Sequence, residues 1–231
     1  MAEDSNKQSQ MLIPSDEVLK SQLLRQRTMA RGFRFPLKTE EAYRLLYTAY
    51  AAEVQLRGRK LSMDVETTRV VAETARFLTS PQGIKTGMMF CGTCGNGKTT
   101  LMNAIGNSLE WMRNHDIFVD SENKDLYDYL TILDAKRIAT DMKNDTVASK
   151  IKRNTLLGIE DMGREPAEVL DYGNVFSPIV DLLEYRYSSR LFTIITTNLT
   201  SSQIHEKYGM RVADRLNEML HVVVFRNTSF R

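Results

Sequence analysis

Apolar positions recur at helical spacing through the first eighty residues, then give way to short apolar runs separated by further helical stretches. Residues 15–29 carry Val18, Leu19, Leu23 and Leu24 at helix spacing, with Ser15 placed to cap and Gly32 just beyond the end. A second helix is predicted over 39–57, opening on Thr39, Glu40 and Glu41 and stopping at Gly58. A third covers 64–79, before Ser80, Pro81 and Gly83, and no strand is predicted in this part. From Gly87 the pattern changes. Short apolar strands are predicted at 87–91, 129–133, 156–159, 191–197 and 220–225. Helices are predicted at 98–114, 135–143 (capped by Asp134), from Ser177 with Pro178 in its first position, and at 203–218. Polar residues 115–128 read as a loop or insertion. Strands alternating with helices predict an α/β class: a parallel sheet with helices on both faces, preceded by a small helical N-terminal region.

Composition narrows this only a little. The 231 residues are 42% hydrophobic and 26% charged, enough for a sizeable core, and the net charge of +2 does not itself announce a nucleic-acid partner. No apolar run reaches the length of a membrane span, and the polar start of the chain has no signal-peptide core, so no membrane association and a cytoplasmic location are expected. Two cysteines make no disulfide framework, and His115, His205 and His221 lie too far apart in sequence for a metal site. Lys20, Arg25, Arg27, Arg31, Arg34 and Lys38 outnumber nearby acids; such a run is a solvated face or a surface for an acidic partner or phosphate backbone. The smaller basic patch of Lys150, Lys152 and Arg153 reads as a solvated face.

The chemistry begins with Gly92, Thr93, Cys94, Gly95, Asn96, Gly97, Lys98 and Thr99, followed by Thr100. This is a phosphate loop of the Walker A type. Its glycines let backbone N–H groups converge on phosphates, Lys98 reaches the β- and γ-phosphates, and the Thr99 hydroxyl is placed for Mg²⁺. The loop lies between a predicted strand and a predicted helix, whose dipole adds to the anion site. ATP and Mg²⁺ are the expected cofactors. The strand 156–159 then runs into Glu160 and Asp161, an acid pair able to hold the metal shell (Glu160) and to orient or deprotonate water. Asn198 ends a third strand at the same edge of such a sheet, where its amide can hold the water or the γ-phosphate. Arg211 and Arg215, four apart, share a helix face. Spacing alone leaves two readings open: a surface ion pair involving Asp214, or an arginine presented to a neighbouring subunit's ATP. Asn123-Lys-Asp-Leu126 is close to a guanine-reading pattern but has leucine where an aspartate is required. Cys91 and Cys94 have redox spacing, yet they are embedded in the phosphate loop.

Together these motifs resemble the DnaC/IstB group of AAA+ ATPases, over about residues 84–231. The stretch from Asp181 through Asn198 to Leu199, the Arg211…Arg215 box and the closing Asn227-Thr-Ser-Phe-Arg231 carry the likeness. The resemblance implies a P-loop NTPase fold of AAA+/RecA-like type. It makes Asn198 a sensor residue and Arg215 the arginine finger, with Arg211 as the second candidate, and places Arg231 near the nucleotide. The short chain after Asn198 implies no full helical lid. One departure stands out: the usual order is Asp then Glu, and here it is Glu160 then Asp161, which puts the hydrolysis rate in question more than ATP binding.

The organisation expected is a helical partner-binding region over 1–83 and an ATPase core over 84–231. By resemblance, the protein would be a Mg²⁺-dependent ATPase and helicase loader that acts on a replicative DNA helicase and single-stranded DNA, self-associating through its ATP sites. Two other readings remain: a transposition helper ATPase that recruits a transposase to DNA, and an ATP-dependent adaptor with little hydrolysis.

Overall fold

The computed structural model describes residues 14–26, 33–61, 64–81, 83, 85–117, 129–171 and 174–227. The chain divides into two compact units, Met1–Ala30 and Arg31–Arg231. In the first, α1 (Asp16–Gln26) has two acids in its first turn, and the Leu19 N–H donates to the Ser15 carbonyl at 2.8 Å.

The second unit opens with two helices. In α2 (Thr39–Leu56) the Glu41 carboxylate accepts from the Lys38 N–H at 3.0 Å. In α3 (Val65–Thr79) the Asp64 side chain accepts from the Thr67 N–H at 2.6 Å. Each side-chain acceptor satisfies a backbone donor that the helix itself leaves orphaned. Then follow β1 (Gly87–Gly92), α4 (Lys98–Asn114), β2 (Thr131–Asp134), α5 (Ala135–Asp141), α6 (Asp145–Arg153) and β3 (Leu156–Met162). The chain continues with β4 (Val169–Asp171), β5 (Asn174–Phe176), α7 (Pro178–Ser188), β6 (Phe192–Thr197), α8 (Ser201–Tyr208), α9 (Met210–Met219) and β7 (Leu220–Phe225).

Five strands form one sheet in the order β2-β3-β6-β1-β7, with every pairing parallel. Successive residues on a strand face opposite sides. Met88, Phe90 and Ile194 accordingly join the core beneath α2, α3 and α4, while Met89, Leu157, Ile159 and Ile195 join the core beneath α5, α7 and α9. The parallel, doubly covered sheet is the α/β class that the alternating pattern predicts and agrees with the P-loop NTPase fold that the resemblance implies. β4 and β5 form an antiparallel pair of their own.

Several elements differ from expectation. The predicted helix over 203–218 is two helices, because Gly209 adopts a positive φ of 83° between them. The strand predicted to end at Ile159 continues to Met162, with a register shift against β6 between Ile159 and Met162. α6 and the β4–β5 pair were not foreseen, and Lys150, Lys152 and Arg153 fall in the last turn of α6, where cations favour the helix dipole. Packing does not break at the expected 83/84 boundary. Ala42, Leu46, Tyr50, Val70, Val71 and Leu78, from α2 and α3, lie in the same buried cluster as Leu101, Met102 and Ile105 of α4. Nor is Arg34 a solvated charge. Its guanidinium donates to the carbonyls of Phe33, Ser80 and Lys85 and stacks over the Phe77 ring, tying the start of this unit to the end of α3 and the approach to β1.

Arg186 is the largest fully buried side chain among the described residues. Its guanidinium donates to Thr193 Oγ1 at 2.8 Å and to the carbonyls of Lys152 (3.2 Å), Asn154 (2.7 Å) and Phe192 (2.5 Å). It thereby joins α7 to the start of β6 and to the segment before β3, and its burial is matched by hydrogen bonds. Part of the Asp181 to Leu199 stretch thus has a structural explanation.

Candidate functional site

The loop from Thr93 to Gly97 connects β1 to α4 and depends on glycine at specific places. Gly92, Gly95 and Gly97 have φ of 150°, 82° and 96°. Gly95 and Gly97 therefore occupy backbone conformations that side-chain-bearing residues resist. A Cβ on Gly97 would also run into the Tyr50 hydroxyl from α2, and one on Gly92 would sit 2.6 Å from the Phe225 carbonyl oxygen. Asn96 is buried and donates to that same carbonyl at 3.3 Å, which ties the loop to the end of β7. The Lys98 amine donates to Gly92 O (2.9 Å), Thr93 O (2.7 Å) and Asn96 Oδ1 (3.1 Å), so it is held at the mouth of the loop. Burial lowers its pKa, and the negative charge of Asp161 opposes that shift.

A cleft of about 820 Å³ opens over this loop. It is lined by Cys94 through Thr100, by Glu160 and Asp161 at the end of β3, and by Asn198 just past β6. The structure thus gathers at one sheet edge the residues that the sequence scatters over a hundred positions. Asp161 has a positive φ of 54°; its N–H donates to Thr196 Oγ1 at 2.9 Å, and its Oδ2 accepts from Arg164 at 2.7 Å. The parallel register sets Glu160 beside Asp134 of β2, whose side chain caps α5 through the Lys136 and Arg137 N–H groups.

Arg211 and Arg215 are not in the cleft. Both approach Glu184 of α7: Arg211 Nε is 3.4 Å and Arg215 Nη1 2.6 Å from its Oε1. The Arg215 Nη1 contact is an ion pair without the alignment of a hydrogen bond, and the guanidinium also lies 5.1 Å from the centre of the Tyr187 ring. The ion-pair partner is therefore Glu184 rather than the Asp214 suggested by spacing. Arg231 and the Asn123 to Leu126 stretch lie outside the described residues.

Sequence reasoning missed eight of the eighteen residues that line the cleft. Tyr50, Val54, Arg57, Arg59, Lys60, Leu61 and Thr67 come from α2, α3 and the turn between them, and Arg164 comes from the segment after β3. Arg164, three residues after an acid at a strand end, and the Arg57…Arg59-Lys60 run after a helix were visible signals. A divalent cation held by one or two carboxylates and completed by phosphate oxygens fits the chemistry of Thr99, Glu160 and Asp161. Among the described residues no group of three or more His, Cys, Asp or Glu could hold a metal by itself. Cys91 and Cys94 are free thiols; burial raises the Cys91 pKa to about 11, far from a reactive thiolate. No described helix is long and apolar enough to cross a membrane.

The architecture defines an α/β P-loop NTPase fold. Among solved structures, this fold is shared with the DnaC helicase loader (21% identical, TM-score 0.52, spanning 72% of this chain and 93% of that one). It is also shared with a protein from Streptococcus pyogenes serotype M3 (20%, 0.52, 73% and 84%) and with DnaI (18%, 0.50, 71% and 87%). At these identities the likeness is one of fold. No family model matches the chain, and no curated protein matches it.

Proposed function

We propose that the chain is an ATP-binding and hydrolysing helicase loader, resembling DnaC, that acts on a replicative DNA helicase and single-stranded DNA. The observation that carries the ATP half is the cleft, in which the phosphate loop, the Glu160–Asp161 pair and Asn198 share one wall-to-wall space. The loop N–H groups and Lys98 would hold the phosphates, Lys98 exchanging its carbonyl partners for phosphate oxygens. Thr99 and Glu160 would hold Mg²⁺, which supplies charge neutralisation to the phosphates when bound. Asp161 would receive the proton of the attacking water, and Asn198 would orient that water. Arg215, with Arg211 beside it, would complete the site of a neighbouring copy. Its place on α9, outside its own cleft, supports that role.

The helicase half rests on the fold shared with DnaC and DnaI loaders together with the resemblance of the motifs. The N-terminal region through residue 83 is assigned the helicase grip, and cytoplasmic action follows from that partner. Co-purification with the host's replicative helicase, with ATP present and absent, tests this half; no retention under either condition overturns it. Steady-state phosphate release by the wild type and by Lys98→Ala tests the ATPase half, and full turnover by the variant overturns the site assignment.

One observation favours a second reading. Asp161 is engaged by Arg164 and held in a left-handed backbone conformation, an arrangement suited to an ATP-dependent adaptor that hydrolyses little. Slow phosphate release that neither single-stranded DNA nor helicase accelerates would select it.

A further inference from the structure

Part of the cleft wall is built by the end of α2, the turn after it and the start of α3, and it carries a guanidinium with a fixed address. Arg57 Nη1 donates to Thr100 Oγ1 in the first turn of α4 at 2.7 Å, while its Nη2 meets Glu53 Oε2 at 3.3 Å. Glu53 is itself held: its side chain is only 12% exposed, and it accepts from Asn107 Nδ2 at 2.7 Å and Asn103 Nδ2 at 3.3 Å, both on α4. An arginine that merely covered a surface would not need a carboxylate braced by two amides on a neighbouring helix.

Direction follows from helix geometry. Lys98 and Thr100 are two residues apart, about 200° around α4. They face opposite sides of the helix end over which a polyphosphate would lie. Lys98 marks the side of Asp161 and the terminal phosphates; Thr100, with Arg57 on it, marks the other. That side also carries Tyr50, Val54, Leu61 and Thr67, a mixed apolar and hydroxyl wall suited to a ribose and base.

We propose that Arg57, braced by Glu53 and placed on Thr100, is a ligand of the nucleotide's inner phosphate, so that α2 takes a direct part in nucleotide binding. The inference rests on the ATP reading of the cleft. Its consequence is that the α2–α4 seam, through Glu53, Asn103 and Asn107, senses whether the nucleotide is bound irrespective of its terminal phosphate.

The test is equilibrium binding of ATP and ADP to the full chain, comparing the wild type with Arg57→Gln, Arg57→Lys and Glu53→Gln, each checked by thermal melting. Arg57→Gln is expected to weaken ATP and ADP by the same factor, about tenfold or more, as befits a charged hydrogen bond to a group both ligands share. Arg57→Lys should recover part of the loss, and Glu53→Gln should show a smaller loss with the same ATP-to-ADP ratio. Unchanged affinity for both nucleotides in Arg57→Gln, with a lowered melting temperature, would reduce Arg57 to a helix staple and overturn the proposal. A loss confined to ATP would overturn it too, by placing the guanidinium at the terminal phosphate. A wild type that binds neither nucleotide overturns the ATP reading itself, an outcome distinct from both.

Discussion

Arg164 Nη1 lies 2.7 Å from Asp161 Oδ2, so the carboxylate proposed to serve an attacking water is shared with a cation three residues further along the chain. Both residues line the cleft, and the Asp161 N–H donates to Thr196 Oγ1. Immediately beyond, Gly163 N–H donates to the buried Glu165 carboxylate, which also accepts from the Tyr208 hydroxyl, while Lys207 donates to the Gly163 carbonyl at 2.6 Å. The segment after β3 is therefore anchored to α8, and Arg164 is the exposed member of an otherwise fixed turn.

If Asp161 serves the water, removing its competing partner should help it. Arg164→Ala is expected to raise steady-state phosphate release about two- to fivefold, the scale of an exposed ion pair, and Asp161→Asn to lower it at least tenfold. Phosphate release at saturating ATP measures both; a fall in Arg164→Ala would show instead that Arg164 assists hydrolysis.

The phosphate loop tolerates no side chain at Gly97, for two separable reasons. Its φ of 96° disfavours any L-residue, and a Cβ would strike the Tyr50 hydroxyl. Gly97→Ala should destabilise the protein by about 1–3 kcal/mol and abolish tight ATP binding. Adding Tyr50→Phe should restore part of the stability, because it removes the clash but not the backbone strain. Chemical unfolding of the single and double variants separates the two contributions.

Arg215 outside its own cleft makes a prediction about mixtures. Arg215→Ala should bind ATP as the wild type does yet turn it over poorly, while Lys98→Ala should fail to bind. Mixing the two inactive variants should restore turnover. An interface that joins the intact loop of one variant to the intact Arg215 of the other has every part. Mixtures as inactive as their components would remove Arg215 from the reaction.

The edge strand β7 is held to α3 by charge. Glu66 accepts from Arg69 Nη2 at 2.6 Å and Nε at 2.9 Å, and from the Arg226 N–H at 2.8 Å, while Arg69 also donates to the Val224 carbonyl. The hydrogen bonds from Arg69 lead in lowering the Glu66 pKa from 4.5 to about 2, against an opposing effect of burial. A depressed carboxylate stabilises the fold above its unfolded pKa, and that contribution is lost as pH falls through the folded value. Glu66→Gln should therefore cost up to about 1 kcal/mol at neutral pH after solvent screening. The difference from the wild type should shrink between pH 4.5 and about 2, as read from urea unfolding at several pH values.

The sequence by itself determined what local spacing and local stereochemistry control. The strand–loop–helix around Lys98 was legible because its glycines and its lysine are neighbours in the chain, and the alternation of elements sufficed for a parallel, doubly covered sheet. Asp134 could be read as a cap for the same reason. Only the tertiary structure decided which distant residues share a space. Arg57 reaches Thr100 across 43 positions, Arg34 reaches Ser80 and Lys85, and Arg186 is drawn into the core by carbonyls on segments before β3 and at the start of β6. None of these leaves a periodic trace, because an arginine that ends in a buried or bridging position looks, in the chain, like any other charge on a helix. The same holds for the cleft. Its acid edge was visible as strand ends, but its remaining wall exists because α2 packs on α4 and α3 packs on α2, and packing between helices selects neighbours in space rather than in sequence.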